Sequence, residues 1–339
     1  MDNIDKKLLN IAQTCFEITE TPYRKIGTVL GISEEETLSR LRKLKDEKVL
    51  RYIGASIDSS YLKFNGLLVA VKVPFEEIES VAEIINSHPG VTHNYLRMND
   101  FNMWFTILEP NSYEVEETTK KILKMAKMKD YMLLKPEKKY KLNFVVDANS
   151  SDFSGFKFEE LQVRKENSKM ELKSEDIRII ERLKKPLPIN SRPFHALSEE
   201  FNISEKKLLK KLLEYKESGL IRKIGGIVSQ TKLGYKYNAL VLWNVHKDKL
   251  DEFAEKLANT KNISHCYRRT AYQNWDYSIY SMFHCFDENH FKELLKFLSD
   301  DESVNEYMIL RTERELKKQR MNFSKLEYSK WHEYYFTNF

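Results

Sequence analysis

The stretch Ile263 to His284, ISHCYRRTAYQNWDYSIYSMFH, has an echo at Val91 to Thr106, VTHNYLRMNDFNMWFT, and both carry His-x-Tyr-x-Arg. Successive side chains of a strand point to opposite faces, so His93, Tyr95 and Arg97 share one face, and His265, Tyr267 and Arg269 share another. That groups a proton carrier, a phenol and a carboxylate binder. One isolated copy reads first as the wet side of a half-exposed antiparallel strand. Its repetition turns the reading toward a site.

Working outward, the echo belongs to an internal repeat of the whole chain. A shift of 171 places Pro22-Tyr23 on Pro193-Phe194, Ile32-Ser33-Glu34 on Ile203-Ser204-Glu205, Leu38 and Leu41 on Leu209 and Leu212, and Arg51-x-Ile53-Gly54 on Arg222-x-Ile224-Gly225. The shift becomes 172 at His93/His265 and 176 at Tyr131-Met132/Tyr307-Met308.

Each copy opens with a helical pattern, Ile4, Leu8 and Ile11 in one and Ile177, Ile180 and Leu183 in the other. A short segment from Pro22 to Leu30 follows, with Gly31 marking the turn out of it. Ser33 with Glu36 reads as a capping box for a third helix carrying Leu38, Leu41 and Leu44, and Ser204 can cap its counterpart. Three short helices followed by a strand-like Arg-x-Ile-Gly form a winged helix-turn-helix pattern.

The period then changes. Strands are expected at Leu67 to Val73, Val91 to Arg97, Asn102 to Leu108 and Tyr131 to Leu134, with helices at Glu76 to Asn86 and Ser112 to Met125. The second copy repeats this order, β-α-β-β-α-β, with Ala239 to Val245, Lys249 to Asn259, His265 to Arg269, Tyr277 to Phe283, Glu288 to Leu298 and Val304 to Leu310. The fold class is therefore α+β, two tandem copies of a winged helix-turn-helix plus a ferredoxin-like domain. The domains run 1–58 (winged helix 1), 59–148 (ferredoxin-like 1), 149–173 (a polar linker), 174–229 (winged helix 2), 230–325 (ferredoxin-like 2) and 326–339. In the last segment Trp331, Tyr335 and Phe339 recur at helical spacing, and packing across the two halves is the expected role.

The 339 residues are 41% hydrophobic, enough for several cores, and no stretch is long and apolar enough to span a membrane. The amino terminus MDNIDKK lacks a basic segment followed by an apolar run, so a cytoplasmic location is expected. Cys15, Cys266 and Cys285 are too widely spaced for a disulfide framework or a zinc knuckle. With 56 basic and 51 acidic residues the net charge of +5 neither demands nor excludes nucleic acid.

A helix-turn-helix joined to a ferredoxin-like domain resembles the Lrp/AsnC family of transcription regulators. The motifs His-Asn-Tyr-Leu-Arg with Asn102 to Thr106, and His-Cys-Tyr-Arg-Arg with Trp275 and Ser281-Met282-Phe283-His284, are more specific. They resemble the paired subunits of the siroheme decarboxylase family, here fused into one chain. Thr270 and Asp276 depart from the pattern, since that resemblance leads one to expect proline at both. It implies removal of carbon dioxide from the C12 and C18 acetate side chains of siroheme, giving didecarboxysiroheme for haem or haem d1 biosynthesis. It also implies that the two halves pair within the chain, further homodimerisation being open.

A uroporphyrin-type macrocycle is a broad apolar plate ringed by carboxylates. Arginine suits its rim because the planar fork makes two parallel charge-assisted hydrogen bonds, so Arg97, Arg268 and Arg269 are the candidate clamps. Trp104 and His284 are further candidates for contact with substrate. The carbon that loses carbon dioxide must be protonated, and histidine titrates near neutrality, so His93 and His265 are candidate donors with Tyr95 and Tyr267 as relays. Either histidine could instead ligate the substrate's iron. No nucleotide loop, metal-cluster motif or organic cofactor fingerprint appears, so no cofactor is expected beyond the iron tetrapyrrole itself. His88, His195, His246, His290 and His332 lie in turns, helices or their flanks and read as structural, while Trp243 and Trp275 read as core or pocket wall.

The competing reading is a DNA-binding regulator that senses a small molecule or haem. Its recognition helix would begin Ser33-Glu34-Glu35-Glu36, at the end that faces the major groove, and three carboxylates there oppose phosphate. Lys210 and Lys211 of the second copy could meet a DNA backbone, but lysines so spaced more often form a solvated face. No specific DNA binding is expected.

Overall fold

The computed structural model describes residues 1–142 and 172–337, with side chains through Tyr335. The expected linker 149–173 and Phe339 fall almost wholly outside these residues. The first copy comprises α1 (Asn3–Thr14), α2 (Pro22–Leu30), α3 (Glu34–Asp46), β1 (Leu50–Ile57), β2 (Phe64–Val71), α4 (Ile78–Ser87), β3 (Val91–Arg97), β4 (Met103–Pro110), α5 (Val115–Met125), β5 (Tyr131–Leu134) and β6 (Pro136–Leu142). The second comprises α6 (Ser174–Leu183), α7 (Pro193–Glu200), α8 (Glu205–Ser218), β7 (Ile221–Val228), β8 (Tyr237–Val245), α9 (Leu250–Asn259), β9 (Ile263–Arg269), β10 (Ile279–Cys285), α10 (Glu288–Ser299) and β11 (Val304–Lys318), followed by α11 (Lys325–Thr337).

These elements fall into two compact units, whose boundaries in the described chain lie after Tyr61 and Gly234 rather than at 58 and 229. The helical unit holds both three-helix sets. β1 and β7 pair antiparallel in it, with Gly54 opposite Gly225. The Arg-x-Ile-Gly motif is explained there: Ile53 and Ile224 are buried, and a Cβ on Gly225 would stand 2.9 Å from the Ala12 carbonyl oxygen. Ser33 accepts a hydrogen bond from the Glu36 amide at 3.0 Å. Glu36 itself turns to Arg40 at 2.9 Å, so only half of the expected capping box forms. Ile177 is also not on the buried face of α6, being 41% exposed. Asp176 takes the inward position beside Ile179, Ile180 and Leu183 because Tyr215 and Lys211 donate to its carboxylate.

In the second unit both ferredoxin-like copies merge into one nine-stranded sheet, in the order β5-β2-β4-β3-β11-β8-β10-β9-β6. α4 and α5 cover one face of the first copy over Val69, Val71, Ile85, Phe105 and Ile122. α9 and α10 do the same in the second over Val241, Trp243, Phe253, Phe283 and Leu298. The faces turned away from the helices bury Trp104 and Leu134 of the first copy in one cluster with Leu242, Trp275, Tyr280 and Leu310 of the second. The halves thus pair within the chain.

Two features of that pairing exceed the sequence reading. β11 is 15 residues long, and beyond its partner β8 it runs on to pair with β3, from Thr312 opposite Arg97 to Lys318 opposite His93. β6, which was not anticipated, pairs with β9, from Pro136 opposite Arg269 to Leu142 opposite His265. Each copy's last strand therefore extends along the motif strand of the other. α11 crosses over as well: Trp331 joins the first copy's core and donates to Ser87 Oγ at 3.2 Å. Among the described residues no helix is long and apolar enough to cross a membrane.

Candidate functional site

β3 and β9 present the same ladder of side chains. Asn94 and Leu96 of β3 turn to the helix-covered side, where Asn94 donates to Asn86 Oδ1 and Leu96 joins the core. Alternation then sends His93, Tyr95 and Arg97 to the other face. The His93 and Tyr95 rings stack with centroids 6.1 Å apart, and the Arg97 guanidinium carbon lies 5.2 Å from the Tyr95 centroid. In β9 the corresponding separations are 6.4 Å for His265 and Tyr267 and 5.2 Å for Arg269 over Tyr267. Tyr280, directly opposite Tyr267 on β10, adds a second ring 5.7 Å from Arg269.

Both histidines follow an irregularity in strand pairing, since the register slips between Val91 and His93 and again between Ile263 and His265. Such a bulge re-aims side chains. It brings Thr92 Oγ1 to 3.0 Å from His93 Nδ1, and Ser264 Oγ to 2.6 Å from His265 Nδ1. A hydroxyl thereby engages the same ring nitrogen in each copy. The second copy extends the chain of contacts: His284 Nε2 lies 2.7 Å from Ser264 Oγ, and His284 Nδ1 meets Asn238 Oδ1. In the first copy the paired positions equivalent to Asn238 and His284 are Gly66 and Leu108, which carry no polar side chain.

The arginines close each ladder with positive charge. Arg97 is 6% exposed and donates through Nη1 to the Leu310 carbonyl at 3.0 Å and to Thr312 Oγ1 at 3.1 Å. Arg269 donates through Nη1 to the Leu134 carbonyl at 2.9 Å, at the end of β5, so each guanidinium is held by a backbone carbonyl of the other copy. Nε of both is buried without an acceptor. Among the described residues no acidic side chain pairs with either; burial lowers the pKa of Arg97 to about 10 and that of Arg269 in the same direction. His93 is also shifted down, first by burial and then by Lys318, with Glu315 opposing. Burial, then His265 and Lys318, pushes His284 down to about 3, so its imidazole is neutral at ordinary pH.

The structure sorts the expected residues. His93, Tyr95 and Arg97 come together, as do His265, Tyr267 and Arg269. Arg268 does not join them: it lies on the face of β9 shared with Cys266, and its guanidinium meets Glu137 at 3.0 Å and Asp251 at 3.4 Å. Trp104 stands opposite Tyr95 on β4 but is only 1% exposed, its Nε1 donating to the Phe101 carbonyl at 2.5 Å, and is thus a wall beneath the ladder. His284 is likewise enclosed, and touches Ser264 and Asn238 in place of an open surface. Sequence reading missed Thr92, Ser264 and Asn238. For Thr92 and Ser264 the one visible signal is a hydroxyl residue before each motif histidine, and Asn238 carries none.

Comparison with known proteins identifies the family. The description "AsnC-like ligand binding domain" matches residues 63–141 and 232–317, and "Siroheme decarboxylase NirDL-like HTH domain" matches residues 5–51 and 176–222. The siroheme decarboxylase of Hydrogenobacter thermophilus is 30% identical over 332 residues, spanning 98% of each chain. The siroheme decarboxylase alpha subunit of Desulfovibrio desulfuricans is 43% identical over 116 residues, 34% of this chain and 67% of the subunit. A crystal structure of the siroheme decarboxylase NirDL in complex with an iron-uroporphyrin III analogue matches with a TM-score of 0.76 and 29% identity, over 99% of both chains. With that likeness running from end to end, the chain belongs to the siroheme decarboxylase family.

Proposed function

We propose that this chain removes carbon dioxide from the acetate side chains of siroheme, using the two ladders as its substrate site. The observation that carries this is the pair of enclosed guanidinium groups, Arg97 and Arg269, with no carboxylate of the protein paired to either among the described residues. A buried cation without a counter-charge is unfavourable unless something supplies one. A carboxylate-rimmed tetrapyrrole does so.

In each decarboxylation the bond between the methylene and carboxylate carbons breaks, carbon dioxide leaves, and the electron pair passes into the conjugated macrocycle. A proton then completes a methyl group, so the step consumes one proton and is redox-neutral. His93 and His265 are the proposed donors. A histidine held below its ordinary pKa, as His93 is, makes the stronger acid toward carbon once protonated. At His265 the hydrogen bonds through Ser264 and His284 to Asn238 fix the orientation of the ring. Tyr95 and Tyr267 lie between donor and clamp, where a planar ring can support the macrocycle. The iron belongs to the substrate, and no organic cofactor enters this reading.

The regulator reading has less support. α3 begins with three glutamates, and Arg40 on it is committed to Asp2, Asp5 and Glu36. On α8, Lys207 and Lys211 are paired with Glu175 and Asp176 of α6. Anaerobic incubation with siroheme followed by mass spectrometry of the pigment tests the proposal. Loss of two carbon dioxide units is expected, and unchanged pigment would refute it.

A further inference from the structure

On the helix-covered side of the first ferredoxin-like domain, away from the ladder face, three buried side chains converge: His88, Glu109 and His332. His88 follows α4 in the turn His88-Pro89-Gly90 and accepts the Gly90 amide at Nδ1, 3.1 Å away, which directs Nε2 inward. Only glycine permits this turn, because a Cβ on Gly90 would lie 1.9 Å from the Leu108 carbonyl oxygen. Glu109, next on β4, is fully buried. Its Oε1 stands 2.9 Å from His88 Nε2 and 3.0 Å from His332 Nε2. His332 reaches in from α11 with its ring stacked on Tyr113, centroids 3.7 Å apart and planes 7° apart.

The cluster is poorly explained as hydrogen bonding alone. His88 Nε2, though close to the carboxylate, has no acceptor in line, and Glu109 Oε2 is buried with no hydrogen-bond partner. Native interiors rarely leave such groups unsatisfied. His332 Nε2 does hydrogen-bond Glu109 Oε1 at 3.0 Å, but three ligand atoms within 4.8 Å of one another, with His88 Nε2 out of line and Glu109 Oε2 unpartnered, suit groups aimed at a shared third atom. Two imidazole nitrogens and a carboxylate select a borderline first-row ion such as zinc over calcium or magnesium, which favour all-oxygen shells. The ligands come from a turn, a strand and the helix that arrives from the other copy. The second copy has Thr260 and Cys285 where the repeat aligns His88 and Glu109, so the arrangement belongs to the domain that α11 covers.

We propose that His88, Glu109 and His332 form a structural site for a zinc-class divalent ion that fastens α11 to the first ferredoxin-like domain. The test uses untagged full-length protein, stripped with a chelator, dialysed and titrated with Co2+. One equivalent should bind with the visible bands of a four-coordinate ion, and Zn2+ should displace it. At a hundredfold excess over its dissociation constant the ion should raise the thermal midpoint of the unit holding it by about 5–10 °C. Glu109→Gln and His332→Gln, which keep side-chain volume, should each abolish the bands, whereas the double variant His93→Ala, His265→Ala should retain them. Absence of the bands in folded wild-type protein, a midpoint unmoved by metal, or bands that survive His332→Gln would overturn the proposal in favour of a hydrogen-bonded triad.

Discussion

Replacing Arg97 by alanine separates substrate binding from stability, because the same enclosed charge works in opposite directions on the two. Arg97 is a base whose pKa in the folded protein, about 10, lies below the usual arginine range. At every pH below that value the group is charged in both states, so the folded state bears the full desolvation penalty, on the order of 3 kcal/mol, relieved only as pH rises above 10. Alanine removes that penalty while losing the contact with Tyr95 and the bonds to Leu310 and Thr312. The thermal midpoint of ligand-free protein should therefore hold or rise. Siroheme loses a charge-assisted clamp of about 1.5–3 kcal/mol, a weakening of about 10- to 150-fold. Arg97→Lys should recover only part of it, since lysine keeps the charge without the fork. Anaerobic titration followed by the pigment's absorbance gives the affinity, and calorimetry of the apoprotein gives the midpoint. Wild-type affinity in both Arg97→Ala and Arg269→Ala, with a midpoint several degrees lower, would show the arginines to be structural and refute the reasoning.

Alanine at His93 or His265 should cost about two to four orders of magnitude in single-turnover decarboxylation while leaving siroheme binding largely intact, with His265 the more severe; full turnover in both variants would remove the histidines from the chemistry. His284 has a buried pKa near 3 against an ordinary 6.5, so the unfolded chain takes up its proton first and stability should fall as pH drops below 6.5. Urea unfolding should register about 3 kcal/mol from this group between pH 7 and pH 4, and His284→Gln should flatten the slope by that amount; an unchanged slope would mean the imidazole is not enclosed as described. No specific duplex binding should appear at physiological salt, given the glutamates that open α3; a gel shift surviving competitor DNA would contradict this.

The order of elements was legible because its signals are local. Capping serines at 33 and 204, apolar spacing along α3 and α8, and the change of period after the winged helix each fix one element by backbone chemistry that needs no partner. What the sequence hid were pairings between distant segments. β6, PEKKYKL, has the charge and leading proline of an edge strand, and nothing in it says that its neighbour is β9 of the other copy, Pro136 lying opposite Arg269 and Leu142 opposite His265. The second half of β11, with its run of charges, is obscure for the same reason: its partner β3 belongs to the other copy.

The site was legible to the extent that alternation in a regular strand is legible. His93, Tyr95 and Arg97 share a face because three residues at spacing two must, and by the same alternation Arg268 faces away from Arg269, toward Glu137 and Asp251. The bulges were the real obstacle. A one-residue slip before each motif histidine turns Thr92 and Ser264, which strict alternation would set on the opposite face, into partners of the imidazole. Once Ser264 is placed there, His284 and Asn238 line up behind it by strand register alone, whereas the same register in the first copy delivers Leu108 and Gly66. Two ladders that look interchangeable as sequence therefore differ in how each histidine is backed. On the proposed reading, a histidine backed by polar groups is held in place better than one backed by aliphatic groups, so alanine at His265 is expected to cost more turnover than alanine at His93, and equal losses in the two variants would refute that ranking.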